Sequence, residues 1–416
     1  MATTLQRLRN TKSLGRAASL GYLACVVIYM FYTFSWVSYL SQYELIANIY
    51  QTFSTTYFAY FPPLLFVLLI IEAYSGEINL KRTLIGILAA FLVFALPDGL
   101  INNTNRNLVY LVFLIIAYPK NLSVRDVAEL VWRVGALLIL ITIAVSLNGL
   151  IPEGSYPRWE HNTIRYTWGF GYWPNGFAIY VSAIIMVWVY CRSFAWRWYY
   201  SVVAGLLLYC VYLIADGRGS ISLGLIQVVL TQLCNSSHIG ARIKHAIKKL
   251  VFICATWLFT VMAVLSHLAP LFLSLLNENQ LGYLHQLTSS RTTQWLLYYN
   301  EYGYHLFGQR IDVQIANGVF DNLYLFYGML TGLLFLSLFC FLYIRCGKYC
   351  ERNDDVYMGI FISLLALHCL VENHVFYFAD INISIFAIGA MLAGASLYKA
   401  PKKAPAVANE QLCPSS

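Results

Sequence analysis

The sequence predicts an all-α, polytopic integral membrane protein of about twelve transmembrane helices, and three observations carry that prediction. Hydrophobic residues make up 59% of the 416 and charged residues 11%, with a mean hydropathy of +0.63, against roughly 45–50% apolar usage in soluble domains. The apolar residues come in runs long enough to cross ~30 Å of hydrocarbon. The cationic residues between those runs are shared very unequally between alternate connections, the pattern that sets membrane orientation.

Taken in order, spans are predicted to begin near Gly21, Tyr57, Leu84, Leu108, Val131, Phe177, Ser201, Ile221, Leu250, Asn322, Val356 and Ile381, the fourth and eighth being short. The first follows the basic residues Arg7, Arg9, Lys12 and Arg16 without a small-residue cleavage site, so it reads as a retained helix and not a removed signal peptide. With the N-terminus inside, 20 cationic residues fall on the cytoplasmic side and 6 outside, which puts both termini in the cytoplasm. Residues 1–399 form one membrane domain with two longer extracytoplasmic loops, about 151–173 and 277–320. Residues 400–416 form a polar cytoplasmic tail with too little apolar surface to fold.

The formal net charge of +8 is therefore a topological signal and not a nucleic-acid footprint, because the outer segments carry six arginines against eleven acids. All ten cysteines fall in spans or on the cytoplasmic side, so no disulfide framework is expected. Cys346 and Cys350 sit four apart with no second ligand pair, which does not make a zinc site. Phosphate-loop, zinc-protease and serine-hydrolase motifs are missing. So is any paired outer carboxylate pattern that would hold Mg²⁺ against a phosphate, and neither metal nor cofactor is expected.

Every basic residue predicted outside is an arginine: Arg106, Arg158, Arg165, Arg218, Arg291 and Arg310. A solvated loop gains little from arginine over lysine, whereas bidentate recognition of phosphate or carboxylate needs the guanidinium fork. Arg218 lies in Asp216-Gly217-Arg218-Gly219-Ser220, where one span ends and the next begins. A cation at a helix N-terminus opposes the macrodipole. Either Asp216 pairs with it at the surface, or the helix N–H groups and the guanidinium together take a phosphate.

Arg291 opens a stretch in which Trp295, Leu296, Tyr299 and Tyr302 recur at helical spacing, predicting an amphipathic helix at the membrane surface. Asp321-Asn322 open the tenth span. Asp321 there is an N-cap, with a lowered pKa, or a base that accepts a hydroxyl proton. Glu372, Asn373 and His374 sit at the outer end of the eleventh span, with His368 one turn before Glu372. They either reach water or serve function, as ionisable groups near a membrane commonly do. In the first loop Tyr156, Trp159, Tyr166, Trp168, Phe170, Tyr172 and Trp173 interleave with Arg158, Glu160 and Arg165. That composition suits either sugar rings or an interfacial aromatic belt. Gly328 and Gly332 form a G-x-x-x-G pattern for which close helix packing suffices.

This order of parts resembles the Wzy-type polysaccharide polymerases and the related O-antigen ligases. Pro174-Asn175-Gly176 opens a span, Arg218-Gly219 opens a later one, Arg291 lies in a long outer loop, Gly308 follows, and Asp321-Asn322-Leu323-Tyr324 begins the next helix. The resemblance implies a GT-C-like membrane glycosyltransferase in a bacterial inner membrane. It implies that Arg218 and Arg291 hold the diphosphate of an undecaprenyl-linked glycan, with Asp321 as the third catalytic residue. Arg158, Arg165, Asn175, Arg310, Asn322, Tyr324, Glu372 and His374 are then the expected substrate-binding residues. Donor and acceptor would both be lipid-linked repeat units, with a flippase and a chain-length regulator as partners. The ligases place a histidine before the asparagine where this chain has Asp321, a departure that favours the polymerase branch. Ligase activity onto lipid A core and transport of an anionic lipid-linked substrate are the alternatives. The spans hold little charge near the bilayer midplane, where a transporter would need it.

Overall fold

The computed structural model describes residues 2–42, 111–158, 163–171, 176–288, 291–309, 321–372 and 382–398, together with a few isolated positions. The expected spans beginning near Tyr57 and Leu84, the start of the one near Leu108, and the tail lie outside the described residues.

Helices dominate. In chain order they are α1 (Ala2–Val37), α2 (Val124–Leu147), α3 (Gly176–Ser193), α4 (Trp198–Ala215), α5 (Arg218–Asn235), α6 (Ala241–Leu273), α7 (Glu278–Leu287), α8 (Arg291–Tyr302), α9 (Leu323–Leu330), α10 (Leu333–Arg352), α11 (Val356–His368) and α12 (Ser384–Ala393). Among the described residues six are long and apolar enough to cross a membrane, in α1, α2, α3, α4, α6 and α10. Their outward faces are oily: Leu206 and Leu213 of α4, and Trp257, Val264 and Phe272 of α6, are all exposed. A water-soluble protein does not leave such continuous apolar surface uncovered, whereas lipid tails cover it.

Local chemistry sets the helix starts. Ser123 and Asp126 exchange side-chain and backbone hydrogen bonds at the head of α2, and Asn277 and Gln280 do the same for α7. The buried Asp355 carboxylate accepts the Met358 N–H at 2.9 Å, capping α11, and accepts the Tyr190 hydroxyl at 3.1 Å, pinning α11 to α3. In the interior α6 packs against α10 and α11, and α3 packs against both α2 and α5.

Three expectations change. The first long loop carries an antiparallel hairpin, β1 (Ser155–Arg158) paired with β2 (Thr163–Tyr166), a small addition to a predominantly helical fold. The expected spans at Val356 and Ile381 hold helices of 13 and 10 residues, too short to cross alone at ~1.5 Å per residue. α11 stops where the chain turns polar groups inward, at His368 and Glu372.

The tenth span is broken. Gly332 has φ 89°, and a Cβ there would lie 2.5 Å from the Leu306 carbonyl oxygen, so the residue is a break between α9 and α10 and not part of a continuous packing ridge. The segment 303–309 fills that break. His305 and Leu306 carbonyls accept the N–H groups of Leu333 and Leu334 at 3.0 and 3.2 Å, and Gln309 N–H donates to the Leu330 carbonyl at 3.1 Å. Helix ends inside an apolar bundle need such internal partners.

Candidate functional site

Four chain segments meet at one end of the bundle: the α4–α5 junction, the start of α8, the start of α9, and the end of α11. Leu323 N–H bonds the Cys369 carbonyl at 2.9 Å, joining α9 to the end of α11. Ser220 Oγ lies 3.1 Å from His368 Nε2, joining the first turn of α5 to the last turn of α11. Asn322 Nδ2 donates to Ser266 Oγ at 3.2 Å, joining α9 to α6.

Arg291 is the first residue of α8, and its Nε lies 3.3 Å from Asp321 Oδ2. The pair is only 27% and 18% exposed, which takes it out of the class of surface ion pairs worth little. Asp321 does not cap α9. Asn322 does, its side chain accepting the Leu325 N–H at 3.1 Å. The consequence for acidity reverses the sequence expectation. Burial holds the Asp321 carboxyl above its ordinary range even though Arg291 pulls the other way. Glu372, three residues past the Cys369 cap of α11, is 8% exposed. Burial and the neighbouring Asp321 charge push its carboxyl up to about 8, against the pull of Arg291. Arg291, Asp321 and Glu372 thus form one electrostatic cluster.

Arg218 is the first residue of α5, after a Gly217 N-cap that offers no side chain to the helix. Its Nε lies 3.2 Å from Asp216 Oδ1, so the pairing considered from sequence is present. The guanidinium is 55% exposed, and such a pair is worth ~0–1 kcal/mol. Arg218 also lines a groove of about 550 Å³ with Tyr209, Tyr212, Ile221 and Leu225 of α4 and α5. In both arginines the carboxylate takes Nε. No hydrogen bond of the terminal nitrogens is present for either fork among the described residues.

The remaining expected residues separate. Tyr324 is fully buried, its hydroxyl donating to the Ala366 carbonyl at 2.8 Å and its ring edge-on to Phe259. These contacts make it a packing residue between α9, α11 and α6. Arg165 is half-buried in β2 opposite Tyr156, and β2 lies beside α4. Phe170 is buried against Phe34, Phe177 and Tyr180, and the half-buried Trp168 packs on Phe177. Asn175, Arg310 and His374, and the side chain of Arg158, lie outside the described residues. Sequence reasoning gave no partner to Ser266 and did not couple Ser220 to His368. The second pair is 148 residues apart, beyond any spacing rule.

Among the described residues no group of three His, Cys, Asp or Glu side chains could hold a metal ion. Fold and site together define a helical membrane protein with an arginine- and carboxylate-lined cluster at one end of its bundle. Compared with family models, with curated proteins and with solved structures, the chain matches none.

Proposed function

We propose that this protein is a membrane glycosyltransferase that polymerises undecaprenyl-diphosphate-linked oligosaccharide repeats at the outer face of a bacterial inner membrane. The observation that carries the reading is the shared geometry of Arg218 and Arg291. Each starts a helix, and each is oriented through Nε by a neighbouring carboxylate at 3.2 or 3.3 Å, leaving its terminal N–H groups for a bidentate anion. A diphosphate is a good leaving group that needs charge stabilisation more than a proton, and preorganised donors at helix N-termini supply it.

In the reaction, a sugar hydroxyl on one repeat attacks the anomeric carbon of the growing chain. The new C–O bond forms as the anomeric C–O bond to phosphate breaks, with inversion, and the electron pair leaves on undecaprenyl diphosphate. The hydroxyl proton passes to the Asp321 carboxylate. Burial makes Asp321 a stronger base than an exposed aspartate, which suits that role. The groove beside Arg218 has walls of tyrosine rings and aliphatic side chains, which supports seating the first isoprene units there with the diphosphate against the guanidinium. A ligase would differ only in its acceptor.

The test is Arg218→Lys and Arg291→Lys in a cell-based glycan ladder assay. A lysine ammonium keeps the charge but cannot hold its carboxylate and fork a phosphate at once. Each change is expected to cost ~10²–10³ in rate, as removal of a transition-state donor does. Arg133, 65% exposed in an i,i+4 pair with Glu129 on α2, is the control. Ladders from both variants as long and abundant as from Arg133→Lys would overturn the reading.

A further inference from the structure

Helix α8 buries two polar atoms that have no hydrogen-bond partner among the described residues: Oε1 of Gln294 and Nε1 of Trp295. Both lie on the face that begins with Arg291, three and four residues further along. That face is the inward one, since Tyr298 on the next turn is fully buried and Trp295 packs against the core. A buried donor or acceptor left unmet costs ~1–3 kcal/mol, and folded proteins leave few of them. Two such atoms, about one helical turn from the guanidinium that the proposed function assigns to the diphosphate, are open to a ligand.

Their chemistry narrows its class. The glutamine carbonyl oxygen only accepts, and the indole N–H only donates. A phosphate or carboxylate oxygen accepts alone, so it would satisfy Trp295 and leave Gln294 unmet. A hydroxyl donates and accepts together and satisfies both. The indole ring adds an apolar surface for the C–H face of a sugar. Resting on the proposed function, we propose that Gln294 and Trp295 form a hydroxyl-binding subsite that seats the sugar ring next to the diphosphate held at Arg291, and so select the glycan.

The experiment uses purified protein and the lipid-linked repeat extracted from the producing strain. Initial polymerisation rate is followed against repeat concentration for wild type, Gln294→Met and Trp295→Phe, with sugar-free undecaprenyl diphosphate as competitor. Each variant loses one hydrogen bond to a neutral group, so KM for the repeat is expected to rise roughly 3- to 10-fold. kcat and the inhibition constant of undecaprenyl diphosphate should hold. Gln294→Met should melt no lower than wild type, because it removes an unmet acceptor at nearly constant volume. Unchanged KM in both variants overturns the inference, whether or not melting falls; a fall would mark a structural partner such as buried water. KM and the inhibition constant rising together would also overturn it, since the residues would then act on the diphosphate. In both cases the proposed function would stand. A wild type that neither polymerises the repeat nor binds undecaprenyl diphosphate would remove the proposed function, and this subsite with it.

Discussion

Replacing Asp321 by asparagine separates a pair kept for function from one kept for stability. At 3.3 Å the Arg291–Asp321 attraction is worth about 5 kcal/mol at an effective dielectric of 20. Removing the carboxylate from water costs several kcal/mol as well. The direction of the Asp321 shift decides which is larger. Its carboxyl is raised above the ordinary 3.8 despite Arg291, so burial outweighs the pairing. Above pH 3.8 the ionised side chain is therefore costlier in the folded than in the unfolded chain, fully so above the folded pKa. An asparagine side chain at this position carries no such cost and still accepts from Arg291 Nε. Asp321→Asn should leave stability at pH 7 within about 1 kcal/mol of wild type, on the stabilising side, as the difference of two opposed terms of several kcal/mol. Activity should fall ~10²–10⁴-fold through loss of the base. The assays are thermal melting of the purified protein in detergent from pH 4 to 8, and the glycan ladder. A loss of ~3–5 kcal/mol at pH 7, the cost of breaking a structural buried pair, would refute the reasoning.

Glu372→Gln tests the second carboxyl. A group raised from 4.5 to about 8 on folding withdraws stability as pH climbs between those values, so wild type should lose melting temperature relative to the glutamine variant across that window and run parallel to it above. Parallel curves from pH 4 to 8 would show that Glu372 is not held neutral. Gly332→Ala forces a Cβ to within 2.5 Å of the Leu306 carbonyl at φ 89°, and should cost at least ~1–3 kcal/mol from strain alone. Lower melting, weaker ladders and faster proteolysis of the 303–309 segment are the expected readouts, and normal behaviour in all three would mean the helix break is dispensable.

Much of this architecture was legible in the chain because hydropathy and helical spacing are local. The long apolar runs of α2, α3, α4 and α6 fall where the runs suggested, and Arg218 and Arg291 begin the helices expected of them. What stayed hidden depends on distant partners. Aspartate and asparagine cap helices about equally well, so the pair Asp321-Asn322 does not declare which one caps. The choice is made by Arg291, thirty residues earlier, which claims Asp321 and leaves Asn322 to the helix. Gly328 and Gly332 have the spacing of a packing motif, yet the carbonyls of His305 and Leu306 make Gly332 a break. The aromatics of the first loop suit a sugar platform or an interfacial belt alike, because nothing in their composition shows that Phe170 packs against Phe34 and Tyr180.

The most direct measurement of the central claim is reconstitution of the purified protein in liposomes with its lipid-linked repeat, in EDTA, following polymer and released undecaprenyl diphosphate together. The account predicts a ladder of repeats with one undecaprenyl diphosphate freed per new linkage, and loss of both products in Arg291→Lys. No polymer from the wild type, polymer only after Mg²⁺ or Mn²⁺ is restored, or an undiminished yield from Arg291→Lys would contradict it.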